Sequence, residues 1–219
     1  MTRVKICGIR NEEQAIAAAK AGADFIGVVF VPSPRQVTPD IAVKIKAALK
    51  KREARTETVG VFVNVHAGTV NRVAEMCGLD RAQLSGDEPW EYCREIDKPI
   101  IKTIRVTRNQ PPEQVMKDID YGMRILKGRE IIILLDTSVP ERYGGTGETF
   151  DWELARPIAQ EFPVVIAGGL TPDNVLQAIK EIAPWGVDVS TGVETGGVKD
   201  LKKMKRFIAT VRQADAGAR

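Results

Sequence analysis

Short runs of apolar and β-branched residues alternate along the chain with stretches that carry a helical period. The runs have the length of strands and are bounded by polar residues, glycine or proline. They fall at residues 4–7, 25–30, 58–63, 82–84, 100–104, 131–135, 164–167 and 187–189. Between them, apolar residues recur every three to four positions, as Ile41, Ile45 and Leu49 do on one helical face. Eight such strand–helix units predict an α/β protein, a (β/α)8 TIM barrel with eight parallel strands.

An open, doubly wound sheet would also alternate strands and helices, but it usually carries a three-glycine turn after its first strand. Here the first strand is followed by Cys7-Gly8-Ile9-Arg10 instead, so the pattern favours a closed barrel. The length of 219 residues fits one barrel, and we expect a single domain over residues 1–219. The last helix is expected at about 200–213, with residues 214–219 fraying because they offer little to bury.

The charge balance and the cysteine count narrow the class of protein. A net charge of +3, from 32 basic and 29 acidic residues, does not indicate a nucleic-acid partner, although it would tolerate an anionic metabolite. The first strand begins too early for an export signal, and no apolar run approaches the roughly 18 residues of a membrane span. We therefore expect a cytoplasmic protein without a membrane partner, as a monomer or a homodimer, whose three cysteines stay reduced.

The residues that end the strands of a barrel meet at one face, where barrel enzymes have their active sites. Cys7 and Asp136 each end a buried strand there. A thiolate can remove a proton from carbon, and a carboxyl group among apolar neighbours can donate one. The sequence therefore predicts an acid/base pair, with Lys5 on the same strand face favouring the thiolate. The other polar or glycine residues that end strands are Asn64, Gln83, Arg105, Gly168, Gly169, Asp188 and Ser190.

Glycine-bearing segments follow the seventh and eighth strands, where barrels of this kind often bind phosphate. Residues 167–172 contain Gly168 and Gly169, and residues 190–194 contain Gly192. Glycine lets the backbone approach an anion, and helix N-termini stabilise its charge. We expect a phosphorylated small molecule to bind there, with residues 144–147 after the sixth strand closing over it.

Other chemistry is less well supported by the residues. The only histidine, His66, is expected at the surface, so a metal-dependent epimerase with several histidine ligands is disfavoured, and no metal site is predicted. Cys77 and Cys93 lie in helical stretches and are expected to act as small buried apolar residues. Lys102 could form a Schiff base, but an ion pair with a neighbouring carboxylate is the favoured interpretation.

An ordered set of motifs resembles the phosphoribosylanthranilate isomerases of tryptophan biosynthesis and spans nearly the whole chain. The motifs lie at residues 5–9, 33–35, 59–64, 83–84, 86–88, 134–136, 144–147, 150–152, 167–170, 174–175, 188–190 and 192–194. Two positions depart from the family pattern. Ser85 stands where the family commonly has histidine, which is expected to affect substrate affinity, and Thr191 replaces a usual serine while keeping the hydroxyl.

The resemblance implies an Amadori rearrangement of N-(5′-phosphoribosyl)anthranilate to 1-(2-carboxyphenylamino)-1-deoxy-D-ribulose 5-phosphate. Asp136 would protonate the furanose ring oxygen, and Cys7 would remove the C2′ proton. Arg35 would pair with the anthranilate carboxylate. No redox step is required, so no cofactor is implied. The remaining implied contacts are those of Gln83 and Asp188 with the substrate and of Gly168, Gly169, Ser190, Thr191 and Gly192 with its phosphate.

Two alternatives stay open from the sequence. The related isomerase of the histidine pathway acts on an aminoaldose phosphate, but it would be expected to have aspartate where this chain has Cys7. A barrel retained only as a binding or assembly subunit is the other alternative. Intact Cys7, Asp136 and Arg35 disfavour it, and direct turnover would separate the two.

Overall fold

Eight parallel strands close into a barrel, which confirms the predicted fold class. The structure, a computed structural model, describes residues 1–107, 110–137 and 152–217. Each strand pairs with the next in the chain, and β8 pairs with β1 to close the ring. The strands are β1 (Arg3–Cys7), β2 (Phe25–Val29), β3 (Glu57–Phe62), β4 (Arg81–Leu84), β5 (Ile100–Val106), β6 (Ile131–Thr137), β7 (Val164–Ile166) and β8 (Gly186–Val189).

Helices follow most strands and cover the outside of the barrel. They are α1 (Glu12–Ala21), α2 (Pro39–Lys50), α3 (Ala67–Met76), α4 (Pro112–Ile125), α5 (Trp152–Glu161), α6 (Val175–Ile182) and α7 (Leu201–Gly217). Short 3-10 helices lie at Trp90–Glu95, between β4 and β5, and at Thr191–Val193, after β8. A small hairpin, β9 (Glu194–Thr195) and β10 (Val198–Lys199), precedes α7. None of the helices in these described ranges is long and apolar enough to cross a membrane.

Two apolar layers hold the barrel together. The outer layer lies between strands and helices, and the inner layer includes Phe25, Val59, Ile101 and Leu134. Residues two positions apart on a strand share a face, so each strand feeds both layers. Towards the carboxyl ends of the strands the barrel interior becomes polar, and the candidate site lies at this end.

The C-terminal helix is longer than the sequence predicts. Helix α7 continues to Gly217, with Ala214 buried. The Asp215 carboxylate accepts hydrogen bonds from the Thr2 backbone N–H at 2.9 Å and from the Thr2 hydroxyl at 2.8 Å. Helix α7 therefore extends past the predicted end at about 213, because its last turn is tied to the start of β1.

Candidate active site

A cavity of about 500 Å³ opens at the carboxyl ends of the strands. Loops and strand ends from across the barrel contribute to its walls, as the sequence predicts for a barrel. Of the residues expected there, its walls include Cys7, Arg35, Gln83, Arg105, Asp136, Gly168, Gly169, Asp188, Ser190 and Thr191. Two residues that the sequence predicts for the site, Asn64 and Gly192, do not line the cavity. Asn64 instead bonds the neighbouring loop, where its Oδ1 accepts from the Asp87 backbone N–H at 2.8 Å.

A buried ion pair lies beneath Cys7. Lys5 is 2% exposed, and its Nζ lies 3.0 Å from Asp188 Oδ1, because the β1–β8 register sets these two residues side by side. Burial raises the pKa of the Cys7 thiol, the Lys5 ammonium lowers it, and the Asp188 carboxylate raises it again. The net direction is upward. Lys5 thus acts in the predicted direction on the thiol, but burial outweighs its effect.

Gly27 faces Cys7 across the β1–β2 pair, where the register places them together. A Cβ added to Gly27 would lie 2.8 Å from Cys7 Sγ and 3.2 Å from Lys5 Nζ. The Gly27 carbonyl also accepts the backbone N–H groups of Gly8 and Ile9, each at 2.9 Å. The absence of a side chain at Gly27 leaves room for the Cys7 thiol, and the Gly27 carbonyl holds the backbone at Gly8 and Ile9, which follow Cys7.

Asp136 reaches the same cavity from near the end of β6. It is half-buried, and the residues before it, Leu134 and Leu135, are fully buried and apolar. The β5–β6 register sets Arg105 beside it. The thiol and the carboxyl predicted as an acid/base pair therefore share one cavity. The predicted closing segment, residues 144–147, lies outside the described residues.

The glycine segments after β7 and β8 meet at one side of the cavity. Gly168 and Gly169 have φ of 95° and 63°, a backbone region that favours glycine. A Cβ on Gly192 would lie 1.9 Å from the carbonyl oxygen of Leu170, so only glycine lets these two loops touch. The Asn174 side-chain amide donates to the Gly169 carbonyl at 3.0 Å and steadies the first loop.

Arg35 is held by a carboxylate that the sequence interpretation did not single out. Its Nε and Nη2 donate to the two oxygens of Glu194 at 2.7 and 2.8 Å. Lys199 Nζ donates to the same carboxylate at 2.6 Å and to the Ser190 carbonyl at 2.9 Å. Only the pairing of Glu194 with Lys199 has a signal in the sequence, because these opposite charges flank Gly196-Gly197, a dipeptide typical of tight hairpins.

A hydroxyl and amide cluster forms the wall at β4 and β5. Gln83 Nε2 donates to Ser85 Oγ at 3.0 Å and lies 3.4 Å from Thr103 Oγ1. The two hydroxyls are 3.0 Å apart. Ser85, which stands at the family histidine position, is thus bonded into the wall. Nearby, Lys102 pairs with Glu88 at 3.3 Å, which confirms the ion-pair interpretation of that lysine.

The remaining titratable side chains singled out in the sequence lie away from the cavity. Cys77 and Cys93 are buried, as predicted for small apolar residues. His66 is exposed, as predicted, and its Nδ1 accepts the Gly68 backbone N–H at 3.2 Å at the start of α3.

The sequence matches a family model described as N-(5′-phosphoribosyl)anthranilate isomerase over residues 4–210. The chain belongs to this family. A family member from Dehalococcoides mccartyi is 46% identical over 215 residues, which cover 98% of each chain. These findings confirm the resemblance drawn from the motifs.

Solved structures of phosphoribosyl anthranilate isomerases have the same fold. The enzyme from Thermotoga maritima superposes with a TM-score of 0.82 at 38% identity, covering 97% of this chain and 100% of that one. Another isomerase structure, at 37% identity with a TM-score of 0.79 and the same coverage, was solved with reduced 1-(o-carboxyphenylamino)-1-deoxyribulose 5-phosphate. The chain is thus similar throughout to isomerases of this family.

Proposed function

We propose that this isomerase converts N-(5′-phosphoribosyl)anthranilate to 1-(2-carboxyphenylamino)-1-deoxy-D-ribulose 5-phosphate, a step of tryptophan biosynthesis. The observation that carries the proposal is a single cavity that combines a thiol, a carboxyl group, a guanidinium and two glycine-bearing loops. Each of these groups matches one demand of the reaction. Membership of the isomerase family and the relative solved with a reduced carboxyphenylamino sugar phosphate support it.

In the first step, Asp136 acts as the general acid. It donates a proton to the furanose ring oxygen, the bond from that oxygen to C1′ breaks, and the nitrogen lone pair forms a C1′=N double bond. The sugar opens to a protonated Schiff base. Asp136 is half-buried in the cavity wall, after the buried Leu134 and Leu135, where a general acid can reach a bound sugar.

In the second step, Cys7 acts as the general base. Its thiolate removes the C2′ proton, the C–H electrons form a C1′=C2′ double bond, and the C=N electrons return to nitrogen. The enolamine then tautomerises to the ketone. Because burial raises the pKa of Cys7, the thiol form dominates before reaction, so the thiol must first release its proton to solvent. The adjacent Lys5 ammonium stabilises the thiolate that forms. The rearrangement needs no electron sink, so we propose no cofactor.

The remaining proposed roles concern binding. Arg35 pairs with the carboxylate on the substrate ring, for which a planar guanidinium is suited. Gln83 and Asp188 contact the sugar and its nitrogen. Lys5 Nζ donates a hydrogen bond to Oδ1 of Asp188. Among the described residues nothing donates to Oδ2 of Asp188, so that oxygen is available to a donor group of the substrate. The phosphate binds at Gly168, Gly169, Ser190 and Thr191, which line the cavity. Gly192, which does not line it, supports this subsite by letting the two loops meet.

We further propose that the enzyme is cytoplasmic and acts as a monomer or a homodimer. One related structure is described as showing monomers generated from the dimeric isomerase of Thermotoga maritima. Light scattering on the purified protein will distinguish the two assembly states.

Turnover of freshly generated phosphoribosylanthranilate by purified protein tests the proposed function. The anthranilate fluorescence falls as the rearrangement proceeds. We expect rapid loss of signal with the intact protein and with Cys77→Ala, a control that removes a thiol outside the cavity. No turnover by folded protein would reject the function and leave the aminoaldose-phosphate isomerase or the binding subunit as its replacement.

A further inference from the structure

A chain of charges connects the loop after β8 to Arg35. The Glu194 side chain is 6% exposed, and it accepts hydrogen bonds from Arg35 on one side and Lys199 on the other. The Lys199 side chain is fully buried, and it also holds the Ser190 carbonyl. Although burial by itself raises it, these hydrogen bonds and charges lower the pKa of Glu194 to about 2. The carboxylate is therefore ionised and fixed across the physiological range.

The contact with Glu194 uses only one side of the guanidinium. Arg35 offers five N–H groups, and Glu194 takes the Nε–H and one N–H of Nη2. Among the described residues, nothing accepts from Nη1. The end-on pair, Nη1 with the second N–H of Nη2, remains for another carboxylate in the same bidentate geometry. Glu194 and a bound carboxylate can thus be held at the same time.

The surrounding backbone keeps this guanidinium in place. Lys199 and Glu194 are partners in the β9–β10 hairpin, so the backbone register itself sets their contact. Arg10 donates to the carbonyls of Gly197, at the hairpin tip, and Pro34, beside Arg35, each at 3.0 Å. The hairpin and the loop that carries Arg35 are therefore joined twice.

We propose that Glu194, held by Lys199, is a positioning residue for substrate recognition: it fixes Arg35 so that the end-on face of the guanidinium receives the carboxylate of the substrate ring. This inference rests on the proposed function and extends it. Glu194 does not touch the substrate. Its contribution is to restrict a flexible arginine to the one orientation that selects an ortho-carboxylated ring, which lowers the entropy lost on binding.

Two ligands that differ only in the carboxylate test the proposal. One is reduced 1-(o-carboxyphenylamino)-1-deoxyribulose 5-phosphate, and the other is its phenylamino counterpart without the carboxylate. Their dissociation constants are measured by titration calorimetry for the full chain, Glu194→Gln, Arg35→Ala and the double variant. Glu57→Gln is the matched control, since Glu57 also pairs with an arginine, Arg81, but at the opposite end of the barrel.

We expect Glu194→Gln to weaken the carboxylated ligand about tenfold, the loss expected for a charge-assisted contact, and to leave the other ligand unchanged. KM should rise with little change in kcat. In the Arg35→Ala background Glu194→Gln should add nothing, and Glu57→Gln should alter neither ligand. If Glu194→Gln does not fold, Glu194→Asp, which keeps the charge but shortens the reach, should show the same selective loss.

Equal weakening of both ligands by Glu194→Gln would overturn the proposal, because that is the signature of a purely structural role. Tighter binding of the carboxylated ligand would also overturn it, since Glu194 would then compete with the substrate. If Arg35→Ala discriminates between the ligands and Glu194→Gln does not, only the role of Glu194 fails. If the intact protein turns over no substrate, it is the proposed function that fails.

Discussion

Replacing Gly27 with alanine tests how tightly the barrel packs around the thiol. The new methyl carbon would lie 2.8 Å from Cys7 Sγ, whereas ordinary van der Waals contact begins at 3.4 Å, so the sulfur must retreat by about 0.6 Å. The methyl carbon would also lie 3.2 Å from Cys7 Cα and 3.2 Å from Lys5 Nζ, so it cannot shift away from the sulfur without pressing on these atoms. Overpacking of this kind costs about 1–3 kcal/mol of stability. Since a displacement of about 1 Å can cost roughly 100-fold in rate, we expect kcat to fall about 10- to 100-fold.

The assay compares kcat, KM and thermal unfolding for Gly27→Ala and for a control glycine. Gly186→Ala serves as the control, because its Cβ would press on the Arg3 carbonyl at 3.1 Å, in another strand and at the other end of the barrel. Both variants should lose stability, but only Gly27→Ala should lose kcat. The rate at which iodoacetamide alkylates Cys7 should also change in Gly27→Ala alone.

Normal kcat in a folded Gly27→Ala protein would contradict this role of Gly27, since the thiol could then move without any effect on the rate. Equal losses of kcat in the two variants would refute it too, because the effect would come from general destabilisation. Adding Gly27→Ala to Cys7→Ala should cost less stability than adding it to the intact protein, because the closest clashing atom is gone.

Three further predictions follow from the site. Asp136→Asn should lower kcat by about two orders of magnitude or more at unchanged thermal stability, and near-normal steady-state turnover would remove Asp136 as the acid. Because burial raises the pKa of Cys7 above its ordinary value of 9.0, its alkylation by iodoacetamide should accelerate as the pH rises through the alkaline range. Lys5→Met removes a charge that lowers this pKa, so the acceleration should shift to still higher pH. An alkylation rate independent of pH would contradict this. The pKa of Glu194 is lowered from 4.5 to about 2, so its charge stabilises the fold above pH 4.5 and this contribution is lost as the pH falls towards about 2. The difference in unfolding free energy between the intact protein and Glu194→Gln, measured by denaturant titration, should therefore shrink over that interval, and a constant difference would be the contrary result.

The fold could be predicted because hydrophobic periodicity is repeated eight times along the chain. Each predicted strand corresponds to an observed one, and the differences are at the ends: β6 runs to Thr137, where the pattern predicts an end at 135. The end of α7 could not be predicted, because the contact that holds it joins Asp215 to Thr2 at the other end of the chain. Local propensity carries no signal for such a contact.

The candidate site was predictable to the extent that barrel topology gathers strand ends. Cys7 and Asp136 are far apart in sequence, yet both lie at the carboxyl ends of parallel strands, so closure of the barrel is enough to place them in one cavity. The link from Arg35 to Glu194 joins two loops whose paths depend on their own turns, and residue types alone do not specify it. Nor could the sequence tell which of the 19 glycines faces the thiol, since that depends on strand register.

Removal of the C2′ proton by Cys7 is best tested with substrate that carries deuterium at C2′. Single-turnover fluorescence is followed for the labelled and unlabelled compounds with the intact protein and with folded Cys7→Ala. We expect deuterium to slow the rearrangement by the intact protein, and we expect Cys7→Ala to lose nearly all of its rate. Unchanged turnover by Cys7→Ala would contradict the assignment of Cys7 as the base.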